Sequence, residues 1–380
     1  MKIGLDGNEA NIENRVGSGK YVYELIKQFS QNKQSFSTNK KYEFEVFLKL
    51  NPLSDLPKES KNFKYMVFGP KFLWTQFALP MRLTFGRRPD IFFSMSHYGP
   101  RFSPTPYVVT IFDLSYLHYP ELFNNVDLYQ LTNWTKYSIK NSKHILAISK
   151  STKDDIVKNY GVDPSKITVT YIGFDKKLFK PQPKERIHKV KKMYKVSGDY
   201  IIFVGTLQPR KNIERLIEAF SQLTHHSSIA THNLQLVIVG KKGWMYDQIF
   251  KNVKQLGLEK EIIFTDYVPD DDLPTLICGA KAYVLPSLWE GFGIPVIEAQ
   301  ACGVPVVVSN VSSLPEIVST SGILVDPNDV DSIANGIKRA LDDKTRTDFV
   351  KRGFENIKRF SWEKCAKETL EVLEKVATKA

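Results

Sequence analysis

Two doubly wound α/β domains are what this sequence predicts, and three observations predict them. Short runs rich in Val, Ile and Phe recur along the chain, each followed by a loop and an amphipathic helical pattern. That alternation is the mark of parallel sheets with crossover helices. The runs fall into two series, divided by a basic stretch at residues 176–195 that holds Pro181 and Pro183 and reads as a linker. A length of 380 residues suits two sizeable cores.

The first series opens with KIGLD, a strand over Lys2–Asp6. A loop with Gly17 and Gly19 follows, then a helix with Val22, Leu25, Ile26 and Phe29 on one face. The polar insert SQNKQSFSTNKK comes next and is expected to be a mobile loop. YEFEVFLKL, DIFFSMS, YVVTIFDL and HILAIS supply the remaining strands of this half. The second series reads YIIFVGTL, LQLVIVG, EIIFTDYV, AYVLPS and VPVVVSN. After AYVLPS comes a loop holding Glu290, Gly291, Phe292 and Gly293. Pro295 suits the first position of the following helix, and Gly303 suits its C-terminal cap. WEKCAKETLEVLEKVATK is one amphipathic helix, expected to cross back onto the first domain. The expected domains are therefore 1–180 and 196–362, with the returning helix at 363–380. Ligands of such sheets bind beyond the C-terminal strand ends, which puts the expected site in a cleft between the domains.

Composition excludes several classes. No apolar run approaches the ~18 residues of a membrane span, and Asp6 and Glu9 interrupt any signal-peptide layout. Cys278, Cys302 and Cys365 lack metal-ligand spacing and read as reduced thiols of a cytoplasmic protein. The formal net charge of +12 is concentrated between Lys176 and Lys195, where Glu185 is the single acid. Such a run is either a solvated face or a patch for anionic lipid or an anionic acceptor. Nucleic acid is not expected, because no stacking-aromatic or recognition-helix pattern accompanies the charge. Asp270–Asp272 offers a D-x-D metal reading, yet acids after Pro269 and ahead of LPTLICGA suit a helix start.

Two glycine-containing stretches carry the chemistry. GSGKY resembles the end of a phosphate loop, but Asn14 stands where the first Walker glycine belongs and Tyr21 where the Mg-binding hydroxyl belongs. The dinucleotide fingerprint fails as well, since its third glycine falls on Val22. What remains is a strand, a glycine loop and a helix start, compatible with an anion or with a plain turn. EGFGIPVIE is richer. Gly291 and Gly293 leave room for close backbone approach, and the amides at the helix start can bind phosphate. Glu290 and Glu298 can address two ends of one ligand, although either alone also suits a solvated loop or a helix dipole.

E-x7-E after a strand, written EGFGIPVIE, resembles the signature of the family 4 retaining glycosyltransferases. ACGVPVVVSNVSSLPEI, ILVDPNDVDSIANGI, FVGTLQPRKNIERLIEAF and DYVPDDDLPTLICGAKAYVLPS match its continuation, and VVTIFDLSYLHYPELF and VGSGKYVYEL fit its first half. GTLQPRKN with SNVSSLPE is similar to mannosyltransferases of polysaccharide assembly. The resemblance implies the GT-B fold, in which two Rossmann-like domains face each other. It implies that Glu298 binds the ribose and that Glu290 contacts the donor sugar. Backbone groups of Gly291, Phe292, Gly293 and Ile294 then hold sugar and diphosphate, with Gly205, Thr206 and Val268 in the same site. Arg210 and Lys211, ahead of a helix capped by Asn212, neutralise the departing diphosphate, a role fixed cations suit. Gly17, Gly19 and Lys20 become a lid loop on the diphosphate.

This sequence departs from the family pattern twice. Thr206 stands where many relatives carry Arg, with Arg210 as the candidate substitute. Phe112 stands where many carry His, with Asp113 as the first substitute and His97 as the second. Asp113 equally suits capping a turn. The implied reaction is retaining hexosyl transfer, most of all mannose from GDP-mannose, to a glycan or lipid-linked acceptor. It needs no cofactor or metal, and it runs in the cytoplasm or at an anionic inner membrane face. A UDP-sugar donor and a catalytically weak binding subunit remain the alternatives.

Overall fold

The computed structural model describes residues 1–31, 41–225 and 233–378. The polar insert expected to be mobile falls, from residue 32 to 40, outside the described residues. The chain forms two compact units, Met1–Gly173 with Phe360–Ala380, and Phe174–Arg359.

The first unit is a seven-stranded parallel sheet in the order β3-β2-β1-β4-β5-β6-β7. Its elements are β1 (Lys2–Asp6), α1 (Ser18–Ser30), β2 (Glu43–Leu48), β3 (Phe63–Val67), α2 (Ala78–Phe85), β4 (Ile91–Ser94) and β5 (Tyr107–Ile111), then α3 (Ser115–His118), α4 (Asn125–Asn141), β6 (His144–Ala147), α5 (Lys150–Tyr160) and β7 (Ile167–Val169). β4, β5 and β6 are buried along their whole length, as parallel strands covered on both faces must be. α1 buries Val22, Leu25, Ile26 and Phe29, the face read from the sequence. Tyr21 lies on that face as well, and its hydroxyl meets Thr110 Oγ1 at 3.1 Å.

The second unit is a six-stranded parallel sheet in the order β10-β9-β8-β11-β12-β13. It starts with α6 (Lys184–Met193), β8 (Tyr200–Val204), α7 (Ile213–His225), β9 (Gln235–Val239), α8 (Asp247–Gln255), β10 (Ile262–Asp266) and α9 (Leu273–Cys278). It continues with β11 (Ala282–Leu285), α10 (Ile294–Ala301), β12 (Val306–Ser309), α11 (Leu314–Val318), β13 (Gly322–Val325), α12 (Val330–Leu341) and α13 (Asp343–Asn356). The chain then returns to the first unit, where α14 (Trp362–Ala377) packs on α1. Ser361 caps α14 by accepting the Lys364 amide at 3.0 Å, and Trp362, Cys365, Leu370 and Leu373 form its buried face. The return of the C-terminal helix is thus as the amphipathic pattern implied.

The basic stretch read as a linker is not one throughout. Residues Lys184–Met193 form α6, which packs on α9. Glu185 sits in its first turn and Lys191 and Lys192 in its last, matching the helix dipole at both ends. Val190 is buried and half-buried Ile187 packs at Gly279 beside the end of α9, so two apolar side chains dock a helix that is mostly solvated. The Asp270–Asp272 run leads into α9, where Tyr194 donates to Asp272 Oδ2 at 3.3 Å and Arg186 donates to the Asp271 carbonyl at 2.7 Å. Among the described residues no helix is long and apolar enough to cross a membrane.

Candidate functional site

A doubly wound sheet reverses its strand order at one point, and the loops leaving the two strands there diverge to opposite faces and leave a crevice. In the second unit that point lies between β8 and β11. The loop after β8 carries Arg210 and Lys211, and the loop after β11 carries Glu290. Residues some eighty positions apart in sequence therefore meet. Lys211 Nζ lies 2.5 Å from Glu290 Oε1, and Arg210 Nη1 lies 3.4 Å from Glu290 Oε2. Arg210 also donates to the Trp289 carbonyl, and the Leu288 amide donates back to the Arg210 carbonyl at 2.9 Å. The three charged side chains are nearly buried, Glu290 at 8% exposure and each cation at 15%.

Burial pushes the Glu290 carboxyl up, but the adjoining Lys211 and Arg210 charges outweigh it and hold its pKa at about 2. The group is an anion at any ordinary pH. The backbone of Glu290 is fixed too. Its amide donates to Ser312 Oγ at 3.0 Å, and its carbonyl accepts Ser313 Oγ–H at 2.8 Å. Tyr283 on β11 donates to the Val204 carbonyl at 3.3 Å. Burial raises its pKa, and so do the charges of both Glu290 and Glu298, which brings the two carboxylates to one locale.

α10 starts as its sequence dictates. Gly293 precedes it with φ +88°, a conformation that penalises a side chain, and a Cβ there would lie 2.9 Å from Leu314. Pro295 occupies the first turn, and Glu298 lies inside the helix, 3% exposed. Phe292 is buried beside them. Gly205 and Thr206 lie on the loop after β8, where a Cβ on Gly205 would stand 3.6 Å from the Lys211 stem. Val268 is buried after β10, two strands along the sheet from β8.

Asn212 stands directly before α7, its carbonyl accepting the Leu216 amide at 3.2 Å, and its side chain does more than cap. It takes the left-handed conformation (φ +58°, ψ +36°), and its Oδ1 accepts from the Arg215 guanidinium, in the first turn of α7, at 3.0 Å. Its Nδ2 donates to the Pro286 carbonyl at 2.8 Å and to the Pro327 carbonyl at 2.7 Å. Buried Asn212 thereby ties the cation-bearing loop to the loop that carries Glu290. Ser312 and Ser313 support the site from the loop after β12, and Asn212 supports it through its side chain. A polar residue beside a chemical motif was their one sequence signal.

The first unit has its own reversal point between β1 and β4. Gly17, Gly19 and Lys20 follow β1, His97 follows β4 and Asp113 follows β5, all at the C-terminal edge of the sheet. Gly17 has φ +50° at the start of α1. Asp113 Oδ1 accepts the Ser115 amide at 2.8 Å, so it does cap a turn. The His97 ring lies 5.6 Å from the Phe112 ring, and its Nδ1 is buried without a hydrogen-bond partner among the described residues. Burial pushes the His97 pKa down, opposed by the Asp113 charge.

A parallel sheet whose reversal point presents fixed cations, a permanently ionised carboxylate and a glycine-led helix start belongs to the class that handles phosphorylated ligands. Comparison with known proteins narrows the class. Residues 184–356 match the family described as glycosyl transferases group 1, and residues 17–178 match Glycosyltransferase Family 4. The O-antigen chain mannosyltransferase B of Escherichia coli is 34% identical over 69% of this chain and 68% of its own length. An Escherichia coli UDP-Gal:alpha-D-GlcNAc-diphosphoundecaprenol alpha-1,3-galactosyltransferase is 29% identical over 55% of this chain and 54% of its own length. The fold matches sucrose-phosphate synthase of Thermosynechococcus elongatus over 100% of both chains, with a TM-score of 0.76 at 19% identity. The chain belongs to family 4 of the glycosyltransferases, with the two parallel-sheet units of the GT-B fold.

Proposed function

We propose that this glycosyltransferase moves mannose from GDP-mannose to a lipid-linked glycan, with retention and without a bound metal. The mannose reading is supported by the higher identity and coverage of the mannosyltransferase relative over the galactosyltransferase. The observation that carries the donor site is the Lys211–Glu290–Arg210 cluster at the β8/β11 reversal point. As the bond from the anomeric carbon to the diphosphate breaks, negative charge grows on the leaving group. Two fixed cations beside it are already in position and lower the cost of that charge.

Glu290, with a pKa of about 2, has no proton to give at neutral pH. It accepts hydrogen bonds from sugar hydroxyls and keeps the two cations apart from solvent. The proton lost by the acceptor hydroxyl passes to a diphosphate oxygen as the new bond forms on the same face of the sugar. Glu298 takes the ribose hydroxyls, and the backbone from Gly291 to Ile294 takes the sugar and phosphates. In the first unit we assign the sugar contact to His97 rather than Asp113. His97 has an unused ring nitrogen beside Phe112, whereas Asp113 already gives one carboxylate oxygen to a turn amide. The lipid-linked acceptor reading follows the galactosyltransferase relative, whose acceptor is a diphosphoundecaprenol-linked sugar.

A thermal-shift panel of GDP- and UDP-sugars tests the donor. A ligand at a hundred times its dissociation constant adds ~2.7 kcal/mol, several degrees in Tm for a unit of this size. GDP-mannose is expected to give the largest shift and to be turned over. A larger response to a UDP-sugar would move the reading to that donor, the second reading the galactosyltransferase relative favours. Binding without transfer or hydrolysis would make the chain a sugar-nucleotide-binding subunit.

A further inference from the structure

α2 is apolar on two faces. Ala78, Leu79 and Leu83 are buried against the first unit's core, which also takes in Trp74. Phe77, Met81 and Phe85 recur every fourth residue along the opposite side and are 58%, 59% and 84% exposed. Phe72, 79% exposed, is a further solvent-facing aromatic in the preceding loop. An amphipathic surface helix carries polar residues where these stand. Scattered exposed hydrophobic residues are ordinary on a protein surface, but a continuous helical stripe of them is not.

The charge along this stretch of sequence has one sign. No acid occurs between Glu59 and Asp90, while Lys71, Arg87 and Arg88 flank the stripe and are exposed. A helix that pairs an aromatic stripe with flanking cations and lacks acids suits the boundary between lipid headgroups and acyl chains. The rings bury there while the cations pair with lipid phosphate. We propose that the α2 surface, from Lys71 to Arg88, docks this enzyme on a bilayer containing anionic lipid. It does so through Phe72, Phe77, Met81 and Phe85, with Arg87 and Arg88 supplying the charge preference. The membrane contact thereby falls on the first unit rather than on the basic stretch at 176–195, whose helix α6 has Val190 buried and lacks such a stripe.

The surface is separate from the donor site, so each can fail alone: vesicle binding needs no nucleotide, and the thermal shift needs no lipid. The full chain is sedimented with phosphatidylcholine vesicles made with and without phosphatidylglycerol. It is expected to co-sediment with the anionic vesicles far more than with the neutral ones. Phe77→Ser, Met81→Ser and Phe85→Ser together should lower that binding tenfold or more. Arg87→Gln with Arg88→Gln should lower it by about twenty-fivefold at low salt, from about fivefold per cation. Both variants should keep the wild-type Tm and wild-type donor hydrolysis without vesicles, because the changed side chains are solvent-facing. Equal vesicle binding by wild type and the serine variant would overturn the proposal, and so would no binding by wild type at low salt. A wild-type dimer in solution that the serine variant loses, with no vesicle binding, would give the stripe to a second copy of the chain instead.

Discussion

Replacing Glu290 by Gln removes one negative charge from between two nearly buried cations while keeping the side-chain shape. Its pKa of about 2, against an ordinary value of 4.5, corresponds to about 3 kcal/mol of folding free energy at about 1.4 kcal/mol per pH unit. The depressed pKa fixes the sign. Above about pH 4.5 the carboxylate is ionised whether the chain is folded or not, and the full contribution is present. It is lost as pH falls from there through about 2. Glu290→Gln should therefore lower the Tm at pH 7 by roughly 6–12 °C, at ~2–4 °C per kcal/mol for a unit of this size. It should also flatten the acid limb of stability between about pH 4.5 and 2. Donor turnover should fall by about a hundredfold or more, in the range seen when one preorganised electrostatic group is lost. GDP should stabilise the variant more than wild type, since its diphosphate can replace the missing counter-charge. The assay is thermal unfolding against pH, with and without GDP, beside a turnover measurement. A variant with the wild-type Tm, acid limb and turnover would refute the cluster as a functional unit.

Asn212→Ala should cost about 2–4 kcal/mol, because two buried carbonyls lose their donor and a residue with a Cβ but no side-chain hydrogen bond is left at φ +58°. Asn212→Gly should recover the backbone part alone, and Tm measurements on the two variants separate the terms. Gly19→Val should destabilise the first unit as well as slow transfer, since a Cβ at Gly19 would lie 2.9 Å from the Glu9 carbonyl. An unchanged Tm would show that the α1 start yields more readily than this contact implies. His144, buried and 2.8 Å from Thr168 Oγ1, has its pKa lowered to about 4, by burial first and then by Lys375 and Lys153. The folded state therefore resists protonation there. Stability should fall as pH drops from about 6.5 to 4, and His144→Gln should remove that limb without touching the Glu290 limb below it.

Most strands legible in the sequence fill the sheet interiors, and β10, read as EIIFTDYV, is the legible edge strand. β1, β4, β5, β6, β8, β11 and β12 are dense apolar runs because both faces are covered. β3, β7 and β13 leave no such run in the sequence, and all three are sheet edges. An edge strand pairs on one side and keeps part of its length in solvent, so FKYMV, ITV and GILV never build a run long enough to stand out. α6 was hidden for the converse reason. Its lysines resembled a linker, although their placement at the helix C-terminus was the readable signal.

The sequence by itself determined the two α/β series, the α10 start at Gly293 and Pro295, the returning C-terminal helix and the family. Each of these is written in local patterns, namely hydrophobic period, turn chemistry and motif spacing. Only the tertiary structure decided that Lys211 and Arg210 close on Glu290, that the Asn212 side chain clamps two loops from the start of α7, and that Asp113 Oδ1 accepts a turn amide. It also separated the buried side of α2 from the side left to solvent. These outcomes depend on which strands become neighbours at a reversal point and on what covers each face. No local pattern carries that information, because the partners lie far apart along the chain.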